Sequence, residues 1–362
     1  MKKIFFILLI LIQSQSSEAS IARELYRGVE PMAMGNAYVA IADDVHSIFY
    51  NPAGVAANEK LELHLLATDI HFAREIITLT DAIKDLKDPS GDQLNQIMGK
   101  NVYFQGVGSM SLLAPNFGVT AFYDGQGALY AANQAFPKIE YAYQRTSGVQ
   151  AAFGFSTKTG AKKGKGRRNR EFMDEWRFGL GAKYVTRRGG YKLLPAAQLF
   201  SLDEEQILNF MGGKDTNYGF DLGIQRVQRL SETLTLHWGL NAQNIGDIHF
   251  ANGPEPIKGN IASGLAVSQR LGFSTLTVAY DVRHITRNDD FRKKSHLGVR
   301  LDMPVLDLFL GLNQQAYFTY GLALDFWLVR LSLASYAEEA GSYVFQDPER
   351  RYAIRLDIKL PM

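Results

Sequence analysis

The sequence predicts an all-β protein, a transmembrane antiparallel β-barrel of about 14 strands. Three observations lead there. The N-terminus has the layout of an export signal. Apolar and polar residues alternate with a period of two in segment after segment, down to the last residues. The polar face of those segments mixes glycine with charges of both signs, which a barrel lumen accepts and a lipid-facing surface does not.

Lys2 and Lys3 precede an apolar run, residues 4–12, and Ser17-Glu18-Ala19 fits a small-x-small cleavage site. Residues 1–19 are therefore expected to be a cleaved secretory signal. The apolar run is shorter than the ~20 residues a membrane helix needs, and no later segment supplies such a helix. An exported chain that enters a membrane without helices must close its strands into a barrel.

Composition narrows the function. The 362 residues contain no cysteine, which removes disulfides, thiol catalysis, Cys-ligated metals and a lipoprotein anchor. The formal net charge of +2 offers no electrostatic case for nucleic acid. Aromatic residues make up 12%, with 17 Tyr and 22 Phe, enough for interfacial girdles.

After the signal comes a stretch rich in small residues, 28–56 (GVEPMAMGNAYVAIADDVHSIFYNPAGVA). Gly28, Ala33, Gly35, Ala37, Ala40, Ala42, Ala53 and Gly54 let its backbone pack in a confined space. Asp43 and Asp44 are placed to cap a helical turn over 45–50, since a side-chain oxygen there takes an orphan N–H. Asn51-Pro52 ends that turn, because the residue before proline is pushed out of the α region.

This stretch resembles the N-terminal hatch of the FadL-like outer-membrane proteins, in the branch that includes the PorV/PorQ-type and UPF0164-type proteins. The residues that carry the resemblance are Gly28, Met34-Gly35, Ala40, Ala42-Asp43-Asp44 and Phe49-Tyr50-Asn51-Pro52-Ala53-Gly54. The family usually has a second glycine where Asn36 stands; asparagine tolerates positive φ better than most residues. The resemblance implies a luminal hatch over residues 20–58, a barrel over 59–362, and fourteen strands. It further implies that Gly28, Gly35, Asp43, Asp44, Asn51, Pro52, Ala53 and Gly54 belong to a gate that any permeant must pass.

The strands follow in order: 60–70, 102–112, 117–130, 138–157, 175–187, 217–228, 233–243, 259–270, 274–284, 294–303, 306–314, 317–327, 329–337 and 350–361. In the last, Tyr352, Ile354, Leu356, Ile358 and Leu360 alternate with Arg351, Ala353, Arg355, Asp357 and Lys359. Segment 138–157 contains Ser147-Gly148, a candidate hairpin. Its apolar residues stay on odd positions on both sides (Ile139, Tyr141, Tyr143, then Val149, Ala151, Phe153, Phe155), so one long strand is expected. That keeps the strand number even.

Strand parity puts 71–101 and 188–216 outside the cell and 158–174 in the periplasm. The first outer loop has a helical face of Ile76, Leu79, Ile83 and Leu86, and Ser90-Gly91-Asp92-Gln93 matches a capping box. The second is rich in apolar residues, among them Leu193, Leu194, Leu199, Phe200, Leu208 and Phe210. Ile76, Leu79, Ile83, Leu199, Phe200, Leu208 and Phe210 are the candidate contacts for a hydrophobic ligand at the mouth; the alternative is that these faces pack on each other and on the rim.

Catalytic motifs are absent. There is no G-x-S-x-G elbow, His64 and His71 lack the spacing of a zinc helix, and 160–166 is one residue short of a phosphate loop. The basic run Lys158, Lys162, Lys163, Lys165, Arg167, Arg168 and Arg170 is a solvated turn or a contact for anionic headgroups. The expectation is a non-enzyme without cofactor or metal. Its partners would be outer-membrane lipid and either a small hydrophobic molecule, taken up passively, or a protein docked at the outer loops in secretion or surface attachment.

Overall fold

The computed structural model describes residues 24–78, 98–132, 138–160, 173–195, 213–251 and 254–361. Fourteen strands form one closed barrel in which each pairs with its sequence neighbours and β1 closes onto β14. They are β1 (Glu62–Ala73), β2 (Asn101–Ala114), β3 (Phe117–Ala132), β4 (Lys138–Gly160), β5 (Met173–Pro195), β6 (Lys214–Arg229) and β7 (Leu234–Gln243). The circuit continues with β8 (Asn260–Leu271), β9 (Ser274–Val282), β10 (Ser295–Asp302), β11 (Leu306–Asn313), β12 (Tyr317–Phe326), β13 (Val329–Glu339) and β14 (Pro348–Pro361). Every ladder is antiparallel, and the seam is closed by pairs such as Ala67↔Asp357 and His71↔Ala353. Closure leaves no sheet edge unpaired, the condition for crossing hydrocarbon with strands.

The alternation sorts side chains as expected. On the outside stand exposed Phe153, Phe155, Leu180, Phe220, Leu265 and Leu310. On the inside lie buried Gln105, Gln144, Gln225, Asn241, Asp281, Arg351 and Arg355. An apolar outer wall around a polar interior is the inversion that lipid imposes. Short turns (115–116, 272–273, 303–305) collect at the end where β1 begins and β14 finishes; the connections 244–259, 283–294 and 340–347 are at the other, together with the short turn 314–316. Short turns mark the periplasmic end of such barrels.

β4 is the single long strand expected from its unbroken register, paired with β3 from Lys138 to Phe153 and with β5 from Lys138 to Gly160. One feature of β1 was hidden in the sequence. The register shifts after His64, so that Leu65 and Leu66 both face outward and the inward positions change from even to odd. This bulge keeps His64, Asp69 and His71 all inside.

Two expected loop boundaries move. Residues 188–195 and 214–216 belong to β5 and β6, because the ladders continue up to Lys138↔Pro195 and Arg188↔Lys214. Beyond the bilayer the outer face meets water, so Arg188, Gly190 and Lys192 carry no apolar rhythm. Of the helical expectation in 71–101, α3 (Arg74–Thr78) is present and contains Ile76. Leu79, Ile83, the capping box, Leu199, Phe200, Leu208, Phe210, residues 1–19 and most of the basic run lie outside the described residues.

Candidate functional site

Residues 24–58 lie inside the barrel. The segment holds α1 (Val29–Ala33), α2 (Ser47–Tyr50) and a 3-10 turn (Pro52–Ala57). Met32, Ala33, Met34, Ala37, Val39, Ile48 and Asn51 are completely buried. Such short helices cannot stand alone; the wall holds them.

Contact with the wall is made where the wall has glycine. A Cβ added to Gly179 would strike Pro52 and Ala53, one on Gly223 would strike Asn51, and one on Gly239 would strike Val39. Gly298 and Gly311 meet Met34 and Gly35 in the same way. Small residues on both sides let two backbones approach closely. Gly35 and Asn36 take φ of 64° and 65°, so the asparagine does adopt the left-handed conformation expected of it.

Hydrogen bonds run from wall side chains to the segment's backbone. Asp281 on β9 accepts the Tyr38 and Val39 N–H groups at 2.7 and 2.8 Å. Gln225 donates to Ala42 O at 2.9 Å, Thr319 to Ala33 O at 2.8 Å, and His296 to Gly35 O at 2.9 Å. Asn241 and Gln243 donate to the Tyr50 and Phe49 carbonyls. These polar wall residues satisfy backbone groups that an isolated short helix would leave open.

Asn51 is the pivot. Its Nδ2 donates to Val39 O at 3.0 Å and reaches Ile224 O of β6 at 3.3 Å, while its Oδ1 accepts the Ala53 N–H at 3.2 Å. Pro52 and Ala53 rest on Gly179, and a Cβ on Gly54 would overlap the Ala42 carbonyl. Gly28 faces the His46 ring. The expected capping of the turn 45–50 is made by Asp44 and not by Asp43. α2 begins at Ser47, two residues late, with no side-chain cap. Asp44 accepts His46 N–H at 3.0 Å and the Tyr38 hydroxyl at 2.8 Å, and Asp43 is exposed and caps nothing.

A buried charge network anchors the segment. Glu30 meets His46 at 3.0 Å, Arg330 at 3.2 Å and Ser332 at 2.6 Å. Tyr26 Oη bridges His46 Nδ1 at 2.9 Å and Arg355 at 3.2 Å. Arg355 also holds Asp69 at 2.7 Å and Asp357 at 3.2 Å. Burial raises the Glu30 pKa, but His46, Arg355 and Arg330 outweigh it and hold the carboxyl well below its ordinary range. Burial lowers the His46 pKa, but Asp44 and Glu30 outweigh it and raise it.

Two clefts open above the segment at the long-connection end. One is lined mainly by polar and charged residues, among them Glu24, Gln150, Lys183 and Arg283, with Leu25, Tyr26, Phe49 and Tyr50 at its apolar side. Tyr26 stacks on Phe49 at 4.1 Å, and the Arg283 guanidinium lies 5.1 Å over Tyr50. The other is lined by charges of both signs, including Glu24, Arg27, Lys294 and Glu338. Among the described residues no group of three acidic or histidine side chains could hold a metal.

The candidate residues of the segment are thus brought together, except Asp43. The seven outer-loop candidates are not assembled within the described residues. Glu30, His46, Gln225, Asp281, Arg330 and Arg355 were not singled out from sequence. One signal could have found Gln225: an amide two residues beyond an inward glycine, Gly223-x-Gln225, a pattern that Gly239-x-Asn241 repeats.

A closed fourteen-strand barrel with an apolar outer wall defines the class: a transmembrane β-barrel with the fold of FadL-like barrels. The chain is similar to the TodX deltaS2S3 mutant monoaromatic hydrocarbon channel, with 12% identity, 92% of this chain and 98% of that chain covered, and a TM-score of 0.51. It is also similar to the Ralstonia pickettii toluene transporter TbuX, with 9% identity, 93% and 98% coverage and a TM-score of 0.49. The Pseudomonas putida toluene transporter TodX gives 10% identity, 94% and 98% coverage and a TM-score of 0.47. At such identities the likeness is one of fold. No protein-family model matches the sequence, and no curated protein matches it.

Proposed function

We propose that the protein is an outer-membrane channel for passive uptake of small hydrophobic compounds, with residues 20–58 as its gate and no enzymatic role. One observation supports this reading: the described part of the segment packs on inward-facing wall residues and is fastened to them by side-chain hydrogen bonds and ion pairs, which can exchange for water. Tyr26, Phe49 and Tyr50 are the aromatic contacts that the otherwise polar cleft would offer an apolar solute on the outer side once the segment moves. Apolar contact would stabilise it by about 25 cal/mol per Å² buried. The fold is shared with a monoaromatic hydrocarbon channel, which supports the same class.

The test exploits the absence of native cysteine. A Cβ on Gly154 would lie 3.1 Å from the Ala56 Cβ and 2.9 Å from Val55, so the turn must move out by more than half an ångström to reach the ~3.8 Å of a disulfide. The double variant Ala56→Cys/Gly154→Cys tethers the turn to β4. Uptake of toluene into cells or liposomes is expected to fall on oxidation and return on reduction. Equal uptake in both states would remove the gate from the scheme.

A second reading is a PorV-like barrel that docks partner proteins and passes no solute. The charged lining of the second cleft favours it. Photo-crosslinking from the outer loops separates the two: a reproducible protein partner supports docking, and a co-purified apolar molecule supports transport.

A further inference from the structure

We infer that the β7–β8 connection, residues 244–259, is a second luminal element: a hairpin seated on the inner wall that limits the size of solute able to reach the segment. Its role as a filter rests on the channel reading; its seat on the wall does not. Asp221, Gly219, Asn217 and Asp215 face inward on β6, the last two opposite buried Val185 and Arg187 on β5. The hairpin climbs this face in order. Asp221 accepts the Asn244 N–H at 2.7 Å, Asn217 donates to His249 O at 2.8 Å, and Asp215 accepts the Ala251 N–H at 2.5 Å. Between them, a Cβ on Gly219 would strike Ile248. On the returning leg Arg187 donates to Glu255 O at 2.9 Å, and its guanidinium lies 5.5 Å from the Phe250 ring.

Three features make this a built element. Ile248 and Ile257 exchange both backbone hydrogen bonds, at 2.9 and 3.0 Å, so the two legs are tied to each other. Both isoleucines are 1% exposed and belong to the apolar cluster that holds Val185, Phe49 and Leu25. Asn244, Gly246 and Asp247 take φ of 50°, 83° and 58°, the left-handed region that these residue types accept, so the chain leaves β7 through a turn its own residues favour. Wall side chains thus pair with the hairpin backbone as they do with the segment, and buried backbone groups are satisfied in both.

The hairpin's effect follows from its place. It covers the inner side of β5 and β6 at the outer end of the barrel. Its base, Asn244 and Lys258, shares the lining of the first cleft with Leu25 and Phe49. Lys183 Nζ locks that base to the wall, donating to Asn244 Oδ1 at 2.7 Å and pairing with Asp221 at 2.8 Å. Space beside the hairpin is therefore set by its seat, ahead of any movement of the segment. A slim aromatic ring can pass where a bulky solute is stopped.

The full-length chain has no native cysteine, so a single introduced thiol reports access. Leu25→Cys places one in the cleft, and Tyr343→Cys places one on the exposed β13–β14 connection as a control. Each is labelled from outside, in proteoliposomes, with N-ethylmaleimide and with a polyethylene-glycol-linked maleimide. The ratio of the large-reagent rate to the small-reagent rate is expected to be lower at Leu25→Cys than at Tyr343→Cys. Replacing residues 249–256 by Asn-Gly, a two-residue turn that keeps Ile248 opposite Ile257, should bring the two ratios together. Arg187→Met leaves the hairpin whole; with one charged hydrogen bond lost, the ratio at Leu25→Cys should rise about tenfold. Equal ratios at the two sites with the hairpin intact, or an unchanged ratio in both the folded shortened chain and Arg187→Met, would overturn the proposal. None of these readings involves transport. A parent that takes up no toluene while the ratios change as expected removes the channel reading and leaves the hairpin as a size barrier.

Discussion

His46 Nε2 lies 3.0 Å from Glu30 Oε2, and both side chains are buried in the barrel lumen. The pair ties α1 to the turn before α2. Its stabilisation from His46 is complete below the ordinary histidine pKa and is lost as pH rises through the raised value. That from Glu30 is complete above the ordinary carboxylate pKa and is lost only as pH falls through the depressed value. The segment is therefore seated most firmly in the range between these values. Hydrogen exchange of amides 29–50 should show protection falling on the alkaline side. His46→Gln should remove that alkaline step, and its persistence would assign the step to another group.

Arg355 is 2% exposed and holds Asp69, which is 1% exposed. Arg355→Met leaves Asp69 and Asp357 without their guanidinium, and removal of one partner of a buried pair costs about 3–5 kcal/mol. The unfolding midpoint in detergent should fall accordingly, whereas Arg355→Lys should recover part of the loss.

Asn51→Ala removes the donor to Val39 O and the acceptor of Ala53 N–H. Buried groups left unpaired cost about 1–3 kcal/mol each. Single-channel recording in planar bilayers should show more frequent openings than the parent. An unchanged closed state would show that the Asn51 turn does not hold the gate.

Two inward and outward glycines make a paired comparison. Gly223→Ala places a methyl against Asn51 Oδ1 and Ala53 N and should destabilise by about 1–3 kcal/mol through overpacking. Gly108→Ala, with nothing within 4 Å, should stay within about 0.5 kcal/mol of the parent. Thermal unfolding followed by gel mobility measures both.

The barrel was legible because a strand between lipid and a polar lumen must alternate. Tyr352 to Leu360 on the outward side, against Arg351 to Lys359 on the inward side, shows it directly. The long β4 was legible from its uninterrupted odd register. The β1 bulge was not, since Leu65-Leu66 continues an apolar run in sequence and only the two shifted ladders reveal it. The upper part of β5 was missed because above the bilayer both faces of a strand meet water and the rhythm fades. Asp43 caps nothing for a local reason: Asp44, one residue nearer, takes the His46 N–H of the turn, and the regular helix begins only at Ser47.

From its own residues the chain dictates strand identity, strand number, an apolar outer wall, and a small-residue segment able to enter a narrow space. These are local properties of side-chain type and spacing. Which wall residues hold that segment is decided only by closure of the barrel. Closure sets Asp281 against Tyr38 and Val39, more than two hundred positions away in the chain. It likewise sets Arg330 and Ser332 against Glu30. Partnerships between residues so distant depend on strand order and register, and no periodicity within one strand encodes them.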